Sequence, residues 1–295
     1  MGPTPTGSTR SYLYVPGNSE QKLSRAEQRD ADAVIFDLED AVPWAEKDRA
    51  RDLVRRVLTV AGHDGRPQRW IRINQPPLLA KDIAATAVPG VHGVMVPKAE
   101  PDLLAQVDTY LTEAEHRHHL PAGTFTVIAL IETAGGVLAA PAVATSPRVV
   151  RLGLGEADLA GELALQLDPE RAELAPIRLQ VVLASAAAGL AHPIGPVETA
   201  LHDEATLRRS TELLSRLGFR ARTAIHPAQV PVINDVFTPT PSEVAWARVV
   251  VDALMEATTR GSGVAVGPDH KMIDLAVARS AEEILSRTRE TDSRL

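Results

Sequence analysis

The chain has 295 residues, 44% of them hydrophobic and 23% charged, with a net charge of −7 from 31 Lys and Arg against 38 Asp and Glu. That length buries one large core, and α/β barrels of about 250 residues commonly form a single domain. Dispersed basic residues and only 3% aromatics exclude the charge stripe and stacking platforms of a nucleic-acid binder. Cysteine is absent, which removes disulfides, thiolate metal sites and a cysteine nucleophile from this chain and fits a cytoplasmic address.

Residues 1–9 are a Gly, Pro, Thr and Ser run without the apolar stretch of a secretory signal, and read as a disordered tail. No later stretch approaches the roughly 20 apolar residues of a membrane span, so no membrane partner is expected. From there, short apolar runs at 11–15, 33–37, 69–73, 91–96, 125–131, 148–154, 191–197 and 220–225 predict strands. Amphipathic stretches at 19–29, 45–60, 101–117, 135–144, 171–190, 204–217 and 228–236 predict helices between them. The strands show no clean polar alternation, as expected of parallel strands covered on both faces. Strand-then-helix units in this number predict an α/β fold, a (β/α)8 TIM barrel over residues 10–237. A doubly wound open sheet is the rival, but its usual Gly-rich phosphate loop is missing: the first strand is followed by Pro16-Gly17-Asn18.

After Phe237 the pattern changes. Thr238-Pro239-Thr240-Pro241-Ser242 breaks the chain, and Ser242 is placed to cap a helix reaching about residue 259. Residues 264–270 suit a short hairpin or loop, and 271–287 a last helix. Residues 238–295 are thus expected to form a C-terminal helical extension, a lid added to the barrel.

In such a barrel the residues just beyond each strand share one mouth. Those positions here hold Asp37-Leu38-Glu39-Asp40, Arg72-Ile73-Asn74, Pro97-Lys98, Glu132-Thr133, Gly155-Glu156-Ala157-Asp158 and His226-Pro227. Carboxylates this dense repel one another unless a cation sits among them, and Mg2+ accepts one or two carboxylates with waters and substrate oxygens. Glu132 and Asp158 are the best direct ligands, with Glu39 and Asp40 placed to hold metal-bound waters. The alternative is that Glu132 caps the following helix and Asp158 pairs with a surface arginine. Arg72 lies between Ile71 and Ile73, so an inward-facing guanidinium there needs an anion. Either Glu39 or Asp37 supplies it, or a substrate oxygen does. His226 reads as a structural hydrogen-bonder. No Gly-x-Ser-x-Gly elbow, His-Glu-x-x-His helix or Walker-type loop is present.

Taken in order, Arg10-Ser11-Tyr12-Leu13-Tyr14-Val15-Pro16-Gly17, Phe36-Asp37-Leu38-Glu39-Asp40-Ala41-Val42-Pro43, Arg72-Ile73-Asn74, Val96-Pro97-Lys98, Ile131-Glu132-Thr133, Gly155 to Leu159, Ala224-Ile225-His226-Pro227 and Lys271-Met272-Ile273-Asp274 resemble the citrate lyase beta-subunit-like family of the aldolase/citrate lyase superfamily. The resemblance implies a Mg2+-dependent carbon–carbon lyase, similar to malyl-CoA and citramalyl-CoA lyases. Such an enzyme splits a 3-hydroxyacyl-CoA thioester of the malyl-, citramalyl- or citryl-CoA type into an acyl-CoA and a 2-oxo acid. It implies Mg2+ on Glu132 and Asp158, substrate binding by Arg10, Arg72, Glu132 and Lys98, and catalytic roles for Arg72 and for Asp274. Asp274 would be carried over a neighbouring subunit's site by the C-terminal segment, in a homotrimer or hexamer. The alternatives are a pyruvate-type aldolase on free acids, a malyl-CoA thioesterase or malate-synthase-like enzyme, and a citrate lyase complex subunit served by an acyl carrier partner. Gly195, where the family often has Asp, His270, where it usually has Gly, and Arg222-Thr223, where it usually has Gly-Lys, depart from the pattern.

Overall fold

The computed structural model describes residues 9–59, 67–201, 203–267 and 270–292. The tail expected over 1–9 therefore lies, but for Thr9, outside the described residues. Strands β1 (Ser11–Pro16), β2 (Ala33–Asp37), β3 (Gln68–Arg72), β4 (Gly93–Val96), β5 (Thr126–Ile131), β6 (Val149–Leu154), β7 (Ala191–Gly195) and β8 (Ala221–Ala224) pair in parallel, each with its neighbour in sequence. β8 then pairs back onto β1 through Ser11 and Arg222, so the sheet is a closed barrel and the open doubly wound alternative is excluded. Strand β2, Ala-Val-Ile-Phe-Asp, is buried at every residue because helices cover one face and the barrel interior the other. Inward side chains, among them Tyr12, Ile35, Trp70, Met95, Ile128 and Ile194, fill the interior, so the barrel is a packed core and its open face is the mouth. At the opposite end Arg151 is fully buried, donating to Thr9 O at 2.9 Å and Tyr12 Oη at 3.1 Å.

Close packing reaches the backbone at Gly93. A Cβ there would lie 1.9 Å from Thr126 O on the neighbouring strand, so only glycine lets β4 and β5 pair as they do.

The surrounding helices are α1 (Glu20–Leu23), α2 (Lys47–Leu58), α3 (Leu79–Thr86), α4 (Pro101–Arg117), α5 (Ala134–Leu138), α6 (Ala140–Ala144), α7 (Glu156–Glu162), α8 (Ala175–Ala187), α9 (Glu204–Leu217) and α10 (Val230–Phe237). Two of them, α3 and α7, have no counterpart among the predicted helices. In α3 the buried set Leu79, Asp82, Ile83 and Thr86 does follow helical spacing, but two of its four members are polar and mask the period. The stretch predicted as one helix over 135–144 is two, because Pro141 begins a new turn in α6. The helix predicted from 171 starts at Ala175 for the same reason, with Pro176 in its first turn.

Two compact units divide the chain, Met1–Asp235 and Val236–Leu295. In the second, α11 (Pro241–Thr259) and α12 (Leu275–Asp292) bury Ala247, Val250 and Leu254 with Ala278, Ala281 and Ile273. The cap of α11 is Thr240, two residues before the expected Ser242: Thr240 accepts from Glu243 N while Glu243 reaches back to Thr240 N, a reciprocal box. A hairpin forms from β9 (Ala265–Val266) and β10 (Met272–Ile273). Among the described residues no helix is long and apolar enough to cross a membrane.

Arg148, just before β6, ties α4 to the barrel. It contacts Asp108, donates to Thr112 Oγ1 at 2.8 Å and Phe125 O at 3.1 Å, and forks the fully buried Glu115 at 2.6 and 2.9 Å. Arg148→Ala leaves that carboxylate buried without its cation, a loss of about 3–5 kcal/mol. Urea unfolding should show a lower midpoint with an unchanged slope; an unmoved midpoint would remove the structural role assigned to this pair.

Candidate active site

The mouth is organised around one guanidinium. Parallel register sets Asp37, the last residue of β2, beside Arg72, the last residue of β3. Arg72 Nε donates to Asp37 Oδ1 at 2.7 Å and Nη2 to Oδ2 at 2.6 Å, a two-pronged fork. Its Nη1 lies 2.9 Å from Glu39 Oε2 and 3.1 Å from Asp40 Oδ2, and the guanidinium carbon sits 4.8 Å from the centre of the Tyr14 ring. Burial opposes the charge, but Asp37, Tyr14 and Glu39 outweigh it and raise the Arg72 pKa.

The acidic loop after β2 is itself fixed. Asp37 accepts from the backbone N–H groups of Glu39 at 2.9 Å and Ala41 at 3.2 Å. Lys47 Nζ donates to the carbonyls of Leu38 and Glu39 at 2.7 Å each, and Asn74 Nδ2 donates to Leu38 O at 2.8 Å. Asp37, Leu38 and Glu39 are thus buried, and Asp40 alone of the three acids stays exposed at the rim.

Glu132 follows β5 and is 6% exposed. Its Oε1 accepts from Lys98 N at 2.9 Å, and among the described residues no donor reaches Oε2. Burial, with the charges of Glu39 and Asp158 added, pushes its pKa up to about 8. Burial likewise pushes Glu39 up to about 7, with Arg72 opposing and Asp40 and Asp37 reinforcing the shift. The space over Glu132 exists because residue 155 is glycine: a Cβ there would meet Glu132 Oε2 at 2.5 Å and Cβ at 2.6 Å.

Asp158 lies in the first turn of α7, not at the end of β6 as the strand-end reading has it. It is half-exposed, with Lys98 Nζ 3.5 Å away. Asp158, Glu132 and Glu39 together raise the Lys98 pKa against the cost of its burial. A cavity of about 580 Å3 takes in Tyr14, Asp37, Arg72, Glu132, Gly155, Asp158 and Arg171, with Leu154, Val197 and Ile225 as apolar wall. No cluster of three or more His, Cys, Asp or Glu side chains suited to a metal occurs among the described residues. The donor set here is two carboxylates in one cavity, which suits a hard cation that draws its other ligands from water and substrate.

Arg72, Glu132, Lys98, Asp158, Glu39 and Asp40 are thus brought together. Glu132 does not cap α5, because Thr133 does, accepting from Gly136 N at 3.0 Å. Arg10 is not brought to the mouth. It precedes β1, and its guanidinium is held by Asp32 at 2.9 and 3.0 Å at the amino-terminal end of the strands. A strand of six residues spans roughly 20 Å, so Arg10 and the turn after β1 sit at opposite ends; of that motif only Tyr14 and Pro16 line the cavity. Asp274 belongs to the second compact unit, where its Oδ1 accepts from Ala276 N at 2.9 Å and Val277 N at 3.0 Å at the start of α12. His226 Nδ1 accepts from Ala228 N at 3.2 Å, the structural role expected of it. Sequence reasoning placed Glu156 at the mouth without a role and missed Tyr14, Arg171 and Glu198. Only Tyr14 had a local signal, two residues after an inward-facing Tyr12 on the same strand.

A closed parallel barrel with its acids, one clamped arginine and a cavity beyond the carboxyl ends of the strands has the layout of an enzyme. The HpcH/HpaI aldolase/citrate lyase family model matches residues 10–227, and the chain belongs to this family. It is 34% identical to the citrate lyase subunit beta of Leuconostoc mesenteroides subsp. cremoris, over 94% of this chain and 92% of that one. It is 35% identical to a (3S)-malyl-CoA thioesterase of Cereibacter sphaeroides, over 94% of each. The CitE protein of Mycobacterium tuberculosis, solved with magnesium, acetoacetate and coenzyme A, shares the fold with a TM-score of 0.74 at 27% identity, over 95% of this chain and 98% of that one. The sequence resemblance is therefore correct at the level of family, and the chain is an enzyme of the lyase type.

The raised Glu132 pKa fixes a sign. Folding favours the protonated acid, so the stability it contributes is present below its ordinary carboxylate pKa and is lost as pH rises through about 8. Glu132→Gln should raise the Tm of the metal-free protein at pH 8.5 and change it little at pH 5. Equal shifts at both pH values would mean that Glu132 titrates normally.

Proposed function

We propose that this chain is a Mg2+-dependent carbon–carbon lyase that cleaves a 3-hydroxyacyl-CoA thioester of the malyl-, citramalyl- or citryl-CoA type, giving an acyl-CoA and a 2-oxo acid. The observation that carries the reading is Glu132: a buried carboxylate with one oxygen free of donors, facing the same cavity as Asp158 and Arg72. The relation to a CitE protein solved with magnesium and coenzyme A supports it. Glu132 and Asp158 would hold the ion, and Lys98 would give up its contact with Asp158 when it binds. Glu39 and Asp40 would hold waters around it with the oxygens that Arg72 does not engage. Bound Mg2+ would polarise the substrate's hydroxyl and carboxylate oxygens.

The chain's own residues supply the rest. Asp37 and Tyr14 hold Arg72 so that Nη1 is the edge offered to a ligand. Asp40, 68% exposed, is the partner it exchanges most cheaply for a substrate oxygen. Donation from Arg72 to the developing thioester enolate is worth about 2.7–4 kcal/mol for one such donor. Asp274 would transfer the proton at the enolate carbon, from the C-terminal segment of a neighbouring subunit in a trimer or hexamer, and closure of that segment would exclude water. A cytoplasmic location follows for an enzyme using free CoA esters. The malyl-CoA thioesterase among its relatives makes hydrolysis of the same thioester the reading to separate.

Incubation with malyl-, citramalyl- and citryl-CoA, with and without EDTA, should release 2-oxo acid only when Mg2+ is present, without free CoA. Full turnover after chelation, or no turnover of any ester, would overturn the proposal; stoichiometric free CoA would move it to the thioesterase. Glu132→Ala and Asp158→Ala should lose Mg2+-dependent turnover while keeping the native circular dichroism spectrum. Asp274→Asn should lower kcat by about 10²–10⁴ with KM little changed. A kcat equal to that of the parent would rule out the proton-transfer role.

A further inference from the structure

On the wall of the same cavity Glu156 and Arg171 belong to a second group of charges, which extends behind that wall and which the proposed chemistry does not use. Three guanidinium groups meet two carboxylates there. Glu156 and Glu198 are buried, 2% and 5% exposed. Arg178, on α8, forks Glu156 at 2.6 and 3.1 Å. Arg222, on β8, is fully enclosed and donates to Pro196 O at 2.9 Å, Ser210 Oγ at 2.8 Å and Thr211 Oγ1 at 2.7 Å, with Glu198 Oε2 at 3.4 Å. Those two cations neutralise the two acids. Arg171 is the third, and the most loosely held. It reaches Glu156 and Glu198 through one 3.3 Å contact each, and its Nε has no acceptor among the described residues. Its side chain is 25% exposed and lines the cavity.

The backbone adds an independent observation. Arg171 has φ 55 and ψ 44, in the left-handed region, where a residue with a Cβ costs about 1 kcal/mol more than glycine. Six other described non-glycine residues, Ala164 among them, adopt this region too, so the location of Arg171 says more than its backbone. Glu156 and Asp158 share the first turn of α7, so Arg171 is bonded to the turn that also carries a candidate ion ligand.

We propose that Arg171 is a specificity-determining residue that binds a carboxylate on the branch of the hydroxyacyl group, remote from the bond that breaks. This rests on the lyase reading and narrows it. An acyl group with a carboxymethyl branch, giving a dicarboxylic 2-oxo acid, meets a surplus cation in the cavity. A methyl branch or a hydrogen leaves that cation without its anion. A guanidinium already held at two corners loses little freedom when it takes a third partner.

Removing Arg171 leaves two cations against two acids, and Arg171→Gly relieves the backbone, so the variant is expected to fold with an unchanged or higher Tm. The parent should process citryl-CoA with a kcat/KM well above that for citramalyl-CoA. Arg171→Gly should lose roughly 30- to 100-fold on citryl-CoA, the low end of the effect of removing one partner of a buried ion pair, as suits a partly exposed cation, and under about threefold on citramalyl-CoA. Arg171→Lys should recover part of the difference. Calorimetry in the presence of Mg2+ should show oxaloacetate bound more tightly than pyruvate by the parent and equally by Arg171→Gly. An equal loss on all esters together with weaker binding of CoA itself would assign the cation to nucleotide phosphates and overturn the proposal. So would an unchanged ester ratio in the variant. Absence of turnover for every ester, with the oxaloacetate preference retained and dependent on Arg171, would sink the lyase reading and leave the carboxylate site standing.

Discussion

The site depends on a buried guanidinium being held by a carboxylate on the next strand. Asp37 and Arg72 end β2 and β3 in register, and two short hydrogen bonds lock them together. A one-residue slip of either strand would turn one partner away from the interior. With the clamp in place, Glu39 and Asp40 can crowd the same cation, and Tyr14 can lie beneath it. Remove the cation and Asp37 and Glu39 are left buried without it, a strongly destabilising state. The register of two strands thus decides where chemistry is possible.

The second constraint is steric. Glu132 lies over the backbone of residue 155, and no residue with a Cβ fits there. The glycine lets a carboxylate be buried next to other acids, and that burial raises its pKa. A group in this state holds a proton near neutral pH, and a cation binding there has to displace it. Lys98 links the two acids, with its amide on Glu132 and its ammonium near Asp158.

Much of this was legible in the sequence, and the exceptions have physical causes. Strands buried on both faces leave unbroken apolar runs, so the barrel and its closure could be read, and with them the residues after each strand. Helices α3 and α7 were not readable, since one buries two polar residues on its inner face and the other is a single short helix following a glycine. Asp158 was found for the right cavity but on the wrong element for that reason. Arg10 illustrates a different failure. A motif is contiguous in sequence, yet a strand carries its two ends to opposite faces of the barrel, and Arg10 is on the far one, closed by Asp32. Arg171 had no local signal at all, because its meaning lies in a count of charges drawn from α7, α8, β8 and the loops between them.

That count sets the charge behind one wall of the cavity, and of the five groups Glu156 and Arg171 line it. Around Arg72 one cation faces Asp37, Glu39 and Asp40, with Glu132 and Asp158 near it: acids are in excess. Around Glu156 and Glu198 three guanidinium groups face two acids, and cations are in excess. In bulk water such imbalances would be screened within about 10 Å, but walls of Leu154, Val197 and Ile225 limit the screening here. A ligand that is cation-bridged at one end and anionic at the other relieves both excesses at once, whereas a ligand with a single charged end relieves only one. The preference for a particular acyl branch would then come from the charge left unbalanced by the fold, with the shape of the cavity playing the smaller part.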